Sequence, residues 1–134
     1  MDCGAAYVFM RGEGTNGWAR HTQQKLLAFP APIGGDAFGA AVAVASSGTV
    51  VVGAPSHNSG GGAAYVYRRA GDRWLESEKL DVVGESLLGA PGSANRPGLG
   101  NALSFSLDPA DTLLVSASSA SLSSVQVNAG GVYV

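Results

Sequence analysis

Phe38-Gly39-Ala40-Ala41-Val42-Ala43-Val44-Ala45-Ser46-Ser47-Gly48-Thr49-Val50-Val51-Val52-Gly53-Ala54-Pro55 decides the reading of this chain. Side chains of an extended chain alternate between two faces. Phe38, Ala40, Val42 and Val44 therefore share a bulky face, and Ala41, Ala43 and Ala45 a small one. Ser46-Ser47-Gly48 supplies a turn, and the run from Val50 to Ala54 then shows no polar alternation, which predicts a strand buried on both faces. Pro55, without an amide hydrogen, ends it. Two adjacent antiparallel strands follow from eighteen residues.

The rest of the chain repeats this stretch or flanks it at a regular distance. Gly4-Ala5-Ala6-Tyr7-Val8-Phe9 recurs as Gly62-Ala63-Ala64-Tyr65-Val66-Tyr67 and again as Gly130-Gly131-Val132-Tyr133-Val134, at a spacing of roughly sixty residues. Leu99-Gly100-Asn101-Ala102-Leu103-Ser104-Phe105 restates Phe38-Gly39. Its bulky face carries Leu99, Leu103, Phe105 and Leu107, and its small face Gly100, Ala102, Ser104 and Ser106. Leu113 to Ser118 then stands where Val50 to Pro55 stood, with Gly-Ala-Pro replaced by Ser-Ala-Ser. Trp18 followed by Lys25-Leu26 recurs as Trp74 followed by Lys79-Leu80. The two spacings differ by two residues, which keeps the aromatic and the leucine on one face, whereas a slip of one would invert every side chain.

The unit is thus four strands: the Phe-Gly strand, the Gly-Ala-Pro strand, the Gly-Ala-Ala-Tyr strand and the Trp-to-Lys-Leu strand. Asn16-Gly17 and Gly71-Asp72 are tight-turn signals between the third and fourth, and Ser47-Gly48 and Asp108-Pro109 between the first and second. The charged fourth strand reads as an outer edge protected against further pairing, and the uncharged first strand as the innermost. Tandem four-stranded antiparallel units with small residues where neighbouring sheets converge predict an all-β fold of β-propeller blades. The chain holds two strands of one blade, four of a second and three of a third, about nine in all, an incomplete propeller.

In its combination of Phe38-Gly39, Gly53-Ala54-Pro55, Gly62 to Tyr67 and Trp74 to Leu80, the chain resembles the FG-GAP repeat of integrin α-chain-like propellers, in a short calcium-free variety. The motif residues carried over are Phe38, Gly39, Gly53, Ala54 and Pro55, with Leu99 and Gly100 in the next copy. The expected organisation over 1–134 is the end of one blade at 1–29, a complete blade at 38–82 and the start of a third at 99–134. The resemblance implies a non-enzymatic interaction or adhesion module of an extracellular or surface protein that recognises protein or glycan. A segment supporting a catalytic domain outside this chain, and a structural spacer, are the other functions compatible with it.

Composition agrees. Of 134 residues, 46% are hydrophobic and only 13% charged, about half the usual share, while 20 are glycine. A net charge of −2 offers no electrostatic footprint for nucleic acid. No apolar run is long enough to insert directly into a membrane as a helix. The lone Cys3 has no partner for an internal disulfide.

Candidates for chemistry are few. Metal-binding members of the resembled family carry an acidic loop between the first two strands, but Ala45 to Thr49 has no carboxylate, and Asp108-Pro109-Ala110-Asp111 has two without a third. We expect no metal and no cofactor. His21 and His57 have no carboxylate or nucleophile beside them in sequence, and both are expected as solvated surface residues. Gly60-Gly61-Gly62 reads as a flexible approach to a strand, and Trp18 and Trp74, at equivalent positions, as packing residues. In a meander, alternate connections share an end. The long ones, Pro30 to Gly35, Ser56 to Gly61, Val83 to Gly98 and Ser119 to Ala129, therefore gather on one face, where His57, Asn58, Asn95 and Arg96 are the candidate binding residues. The expected partners are a protein or glycan ligand and the remaining blades of a larger propeller, or further copies of the chain.

Overall fold

A computed structural model of the chain describes residues 3–10, 24–28, 34–80, 98–105, 112–117 and 131–133. Asn16-Gly17, Trp18, His21, Asn95, Arg96, Asp108 and Asp111 lie outside the described residues. Among the described residues, nine strands form three antiparallel sheets. Strands β1 (Ala6–Val8) and β2 (Gln24–Leu26) make a pair. Strands β3 (Ala41–Val44), β4 (Val50–Ala54), β5 (Ala63–Ala70) and β6 (Arg73–Leu80) make a four-stranded meander in sequence order. Strands β7 (Leu99–Phe105), β8 (Leu113–Ala117) and β9 (Gly131–Tyr133) make a third sheet, also in order. The all-β fold of incomplete four-stranded blades is as the repeat predicts.

Register is conserved between repeats. Ala6 opposes Leu26 and Tyr7 opposes Lys25 in the first sheet, and Ala64 opposes Leu80 and Tyr65 opposes Lys79 in the second. The same four positions are used because a one-residue slip would turn the apolar set outward.

Strand β4 is buried throughout and feeds two cores. Val50, Val52 and Ala54 face one side, with Phe38, Tyr65, Tyr67 and Trp74, and are covered there by Ala6 and Leu26 of the first sheet and by Ala28 just after it. Val51 faces the other side with Ala64 and Val66, where Leu99 and Val115 of the third sheet close over it. Each fully buried side chain of this kind contributes about 1.5–3 kcal/mol. Phe38 fixes the first core by edge-to-face contacts with Tyr65 and Tyr67, ring centroids 5.4 Å and 6.5 Å away.

Sheets meet through backbone. Gly4 bridges Phe38 in parallel, and one repeat later Gly62 bridges Leu99 in the same sense. Gly39 and Gly100 follow these bridges at φ +94° and +86°, a conformation favouring glycine. A Cβ would lie 2.7 Å from the Ala5 carbonyl oxygen at Gly39 and 2.5 Å from the Ala63 carbonyl oxygen at Gly100.

The two faces of β3 have different fates. Ala41 and Ala43 pair with Gly53 and Val51 and so lie on the face toward β7. There Leu103 and Phe105 of β7 pack on the Val51 core, large residues of one sheet over small residues of its neighbour. Val42 and Val44, on the opposite face, stay 60% and 68% exposed.

Candidate functional site

The short turns share one end of the second sheet. Trp74, buried on β6, donates its indole N–H to the Gly48 carbonyl at 2.8 Å, tying the β5–β6 hairpin to the β3–β4 turn. Arg69 lies over the Trp74 ring at 5.5 Å and donates from Nε to the Gly71 carbonyl. Gln24 of β2 grips the Trp74 backbone twice, accepting from its N–H at 2.7 Å and donating to its carbonyl at 2.6 Å. Trp74 thus has the packing role expected from its repeat position.

The described parts of the longer connections gather at the other end. Pro55 stops β4, and the chain makes a single turn over His57–Gly60 in which Asn58 and Ser59 adopt left-handed conformations, φ 49° and 60°. Amides of Gly60, Gly61 and Gly62 close it by donating to the carbonyls of Ser56, Asn58 and His57. Gly60-Gly61-Gly62 is not the flexible approach that its composition suggests. The Gly60 and Gly61 carbonyls accept from the amides of Gly98 and Leu99 at 3.0 Å and 3.1 Å, so the segment is the strip on which the next sheet docks.

One hydrogen-bonded side-chain pair holds this turn. Asp36 is 5% exposed, the single buried charged residue among the described ones. Its Oδ2 meets His57 Nδ1 at 2.6 Å, and its carbonyl accepts from the Ser56 amide at 3.1 Å. With the carboxylate as acceptor, the Nδ1 atom carries the proton. The ring also stands edge-on to Tyr65, centroids 6.0 Å apart. The expectation of a solvated His57 is therefore corrected: the side chain is 15% exposed and paired. Sequence proximity could not show it, because Asp36 lies 21 residues upstream. The signal available was topological, since both residues occupy connections at the same end of the meander. Asn58 is exposed beside the pair, as is Ser59, which the sequence reading did not single out.

Chemically, a carboxylate-oriented imidazole is two parts of a nucleophilic triad, but catalysis also needs a nucleophile within hydrogen-bond reach. The contacts described for His57 run inward, to Asp36 and to the face of the core at Tyr65. The pair acts as a latch that fixes a polar loop. Among the described residues there is no group of three His, Cys, Asp or Glu that could hold a metal ion, and no helix long and apolar enough to cross a membrane.

Antiparallel sheets of two, four and three strands, the first two paired in the same register and each joined to the next through glycine backbone, fit a repeat module of β-propeller type with incomplete outer blades. Residues 21–67, which run from before β2 into β5, match the FG-GAP repeat family, and the resemblance carried by Phe38-Gly39 and Gly53-Ala54-Pro55 holds over that segment. No curated protein matches the chain. FG-GAP repeats are generally non-catalytic binding or structural modules and typically occur in extracellular or surface proteins.

Proposed function

We propose that the chain is part of an extracellular or surface β-propeller and serves as a non-enzymatic adhesion module, binding a protein or glycan at the end that carries Ser56 to Gly62. In this reading residues 1–29 end one blade, 38–82 form a second and 99–134 begin a third. The observation that carries the reading is the latched turn. Asn58 and Ser59 present adaptable hydrogen-bonding side chains from a backbone held by the Asp36–His57 pair and three hydrogen bonds donated by backbone amides. A loop ordered in advance loses less entropy on binding, and such loops on rigid scaffolds are where recognition commonly resides. Gly98, two residues after Arg96 in sequence, donates to the Gly60 carbonyl of the same turn, and Asn95 and Arg96 are proposed to extend the surface.

A screen of the full chain against glycans and matrix proteins tests this. The doubly substituted Asn58→Gly, Ser59→Gly variant keeps the left-handed backbone and removes both side chains. It should bind at least about tenfold more weakly, roughly 1.4 kcal/mol, with an unchanged melting temperature. Binding that survives this change but is lost on Asp72→Ala, at the opposite end, would refute the assignment.

A further inference from the structure

Asn58 and Ser59 stand side by side in left-handed conformations, and neither is glycine. Backbone strain of this kind persists only where the surroundings impose it. Here the surroundings are specific. Asp36 holds the His57 ring at Nδ1 and, through its own carbonyl, the Ser56 amide, and the amides of Gly60 and Gly62 close the turn on the carbonyls of Ser56 and His57. The strained pair is thus fixed from the connection that precedes β3.

The same turn anchors the third sheet. The Gly60 and Gly61 carbonyls accept from the amides of Gly98 and Leu99, and Gly62 bridges Leu99. Leu99 is 3% exposed and is seated with Val51, Ala64 and Val66 in the second core. The exposed pair, the latch and the sheet joint are therefore parts of one short turn. The glycine bridge recurs between repeats, but the latch does not: aligning Phe38-Gly39 with Leu99-Gly100 places Pro97 where Asp36 stands, and proline has no side-chain acceptor. A bond that every blade required would recur at that position.

We propose that the Asp36–His57 pair is a conformational latch on the joint between the second and third sheets. Closed, it holds the turn in its strained form and keeps the Gly60 and Gly61 carbonyls aimed at the third sheet. Open, Asn58 and Ser59 relax, the two carbonyls turn away, and the start of β7 loses its backbone anchor while its apolar side chains stay in the second core. Coupling between two places is reciprocal, so a ligand that engages Asn58 and Ser59 and a change that loosens the third sheet each alter the other. That consequence for a ligand rests on the adhesion reading above; the latch does not.

Amide hydrogen exchange of the full chain, read residue by residue by NMR, tests it without a ligand, so its failure leaves the adhesion reading standing and failure of that reading leaves the latch intact. Asp36→Ala should speed exchange at Gly98 and Leu99 by at least about tenfold more than at Val51 and Val52, which report the stability of the second sheet. In the other direction, Val115→Ala, which thins the second core from the side of the third sheet, should speed exchange at Gly60 and Gly62 more than at Val51 and Val52. If circular dichroism shows that Asp36→Ala is unfolded, Asp36→Ala with His57→Phe removes the pair without leaving either partner unsatisfied, keeps a ring beside Tyr65, and should give the same pattern at Gly98 and Leu99. Exchange at Gly98 and Leu99 that rises only in step with Val51 and Val52, or a turn indifferent to Val115→Ala, would overturn the proposal.

Discussion

Replacing Gly39 with alanine tests whether the sheets meet through backbone. Two penalties apply. Alanine at φ +94° incurs the left-handed strain of an L-residue, about 1–2 kcal/mol. Its methyl carbon would also lie 2.7 Å from the Ala5 carbonyl oxygen, a backbone atom that cannot rotate away, so β1 must separate from the start of β3. Overpacking of this kind adds about 1–3 kcal/mol, for a total of about 2–5 kcal/mol. Gly71 supplies the control: its φ is +66°, yet a Cβ there meets nothing within 4 Å. Gly71→Ala should therefore show the conformational penalty alone, about 1–2 kcal/mol. In urea titrations followed by circular dichroism, Gly39→Ala and Gly100→Ala should lower the midpoint together, and both more than Gly71→Ala. For 134 residues, each kcal/mol corresponds to about 3–5 °C in melting temperature. Equal effects at Gly39 and Gly71 would refute the close approach of the backbones.

Tyr67 donates to the Leu27 carbonyl at 2.8 Å, and burial, reinforced by the charge of Glu76, pushes its phenol well above the usual tyrosine range. The raised value means that its stabilisation is complete below the ordinary pKa, about 10, and is lost as pH rises beyond it. Tyr67→Phe should cost about 0.5–1.5 kcal/mol at neutral pH and flatten the alkaline fall in stability, read from urea midpoints on either side of that pKa. Gln24→Leu removes both bonds to the Trp74 backbone and should destabilise by about 1–3 kcal/mol; an unchanged midpoint would show that the first and second sheets do not depend on this contact. Asp36→Ala leaves His57 without its acceptor and should also cost about 1–3 kcal/mol, whereas Asp36→Asn, which can still accept, should cost less. Equal losses in the two variants would mean that the negative charge of the carboxylate, which asparagine lacks, and not its shape or a neutral acceptor oxygen, holds the turn.

The architecture was legible because it is written several times. Each copy of Gly-Ala-Ala-Tyr and each Lys-Leu fixes one strand and its partner, and the recurrence of Ala6 opposite Leu26 as Ala64 opposite Leu80 shows that spacing alone carried the register. The alternation in β3 was equally plain. Which of its faces would be covered was not, because burial depends on neighbouring sheets and not on the strand itself. Contacts made once escaped altogether. Asp36 with His57, and Gln24 with Trp74, join residues 21 and 50 positions apart through side chains, and no periodicity marks them. Asn58, named from the sequence, does lie on the turn at the long-loop end, but the latch that gives the turn its shape is a product of tertiary structure.

The glycine joints between sheets have a consequence for how such a chain varies and unfolds. Because Gly4 to Phe38 and Gly62 to Leu99 are linked through main-chain atoms, the joint places few demands on side-chain identity, and phenylalanine in one copy can be leucine in the next. Each unit then behaves as a site in a one-dimensional array, with its own free energy and one coupling to each neighbour. Amide exchange should accordingly be slowest in β4, which is coupled on both sides, and fastest in β2, β6 and β9, so that opening begins at the margins and travels inward one unit at a time.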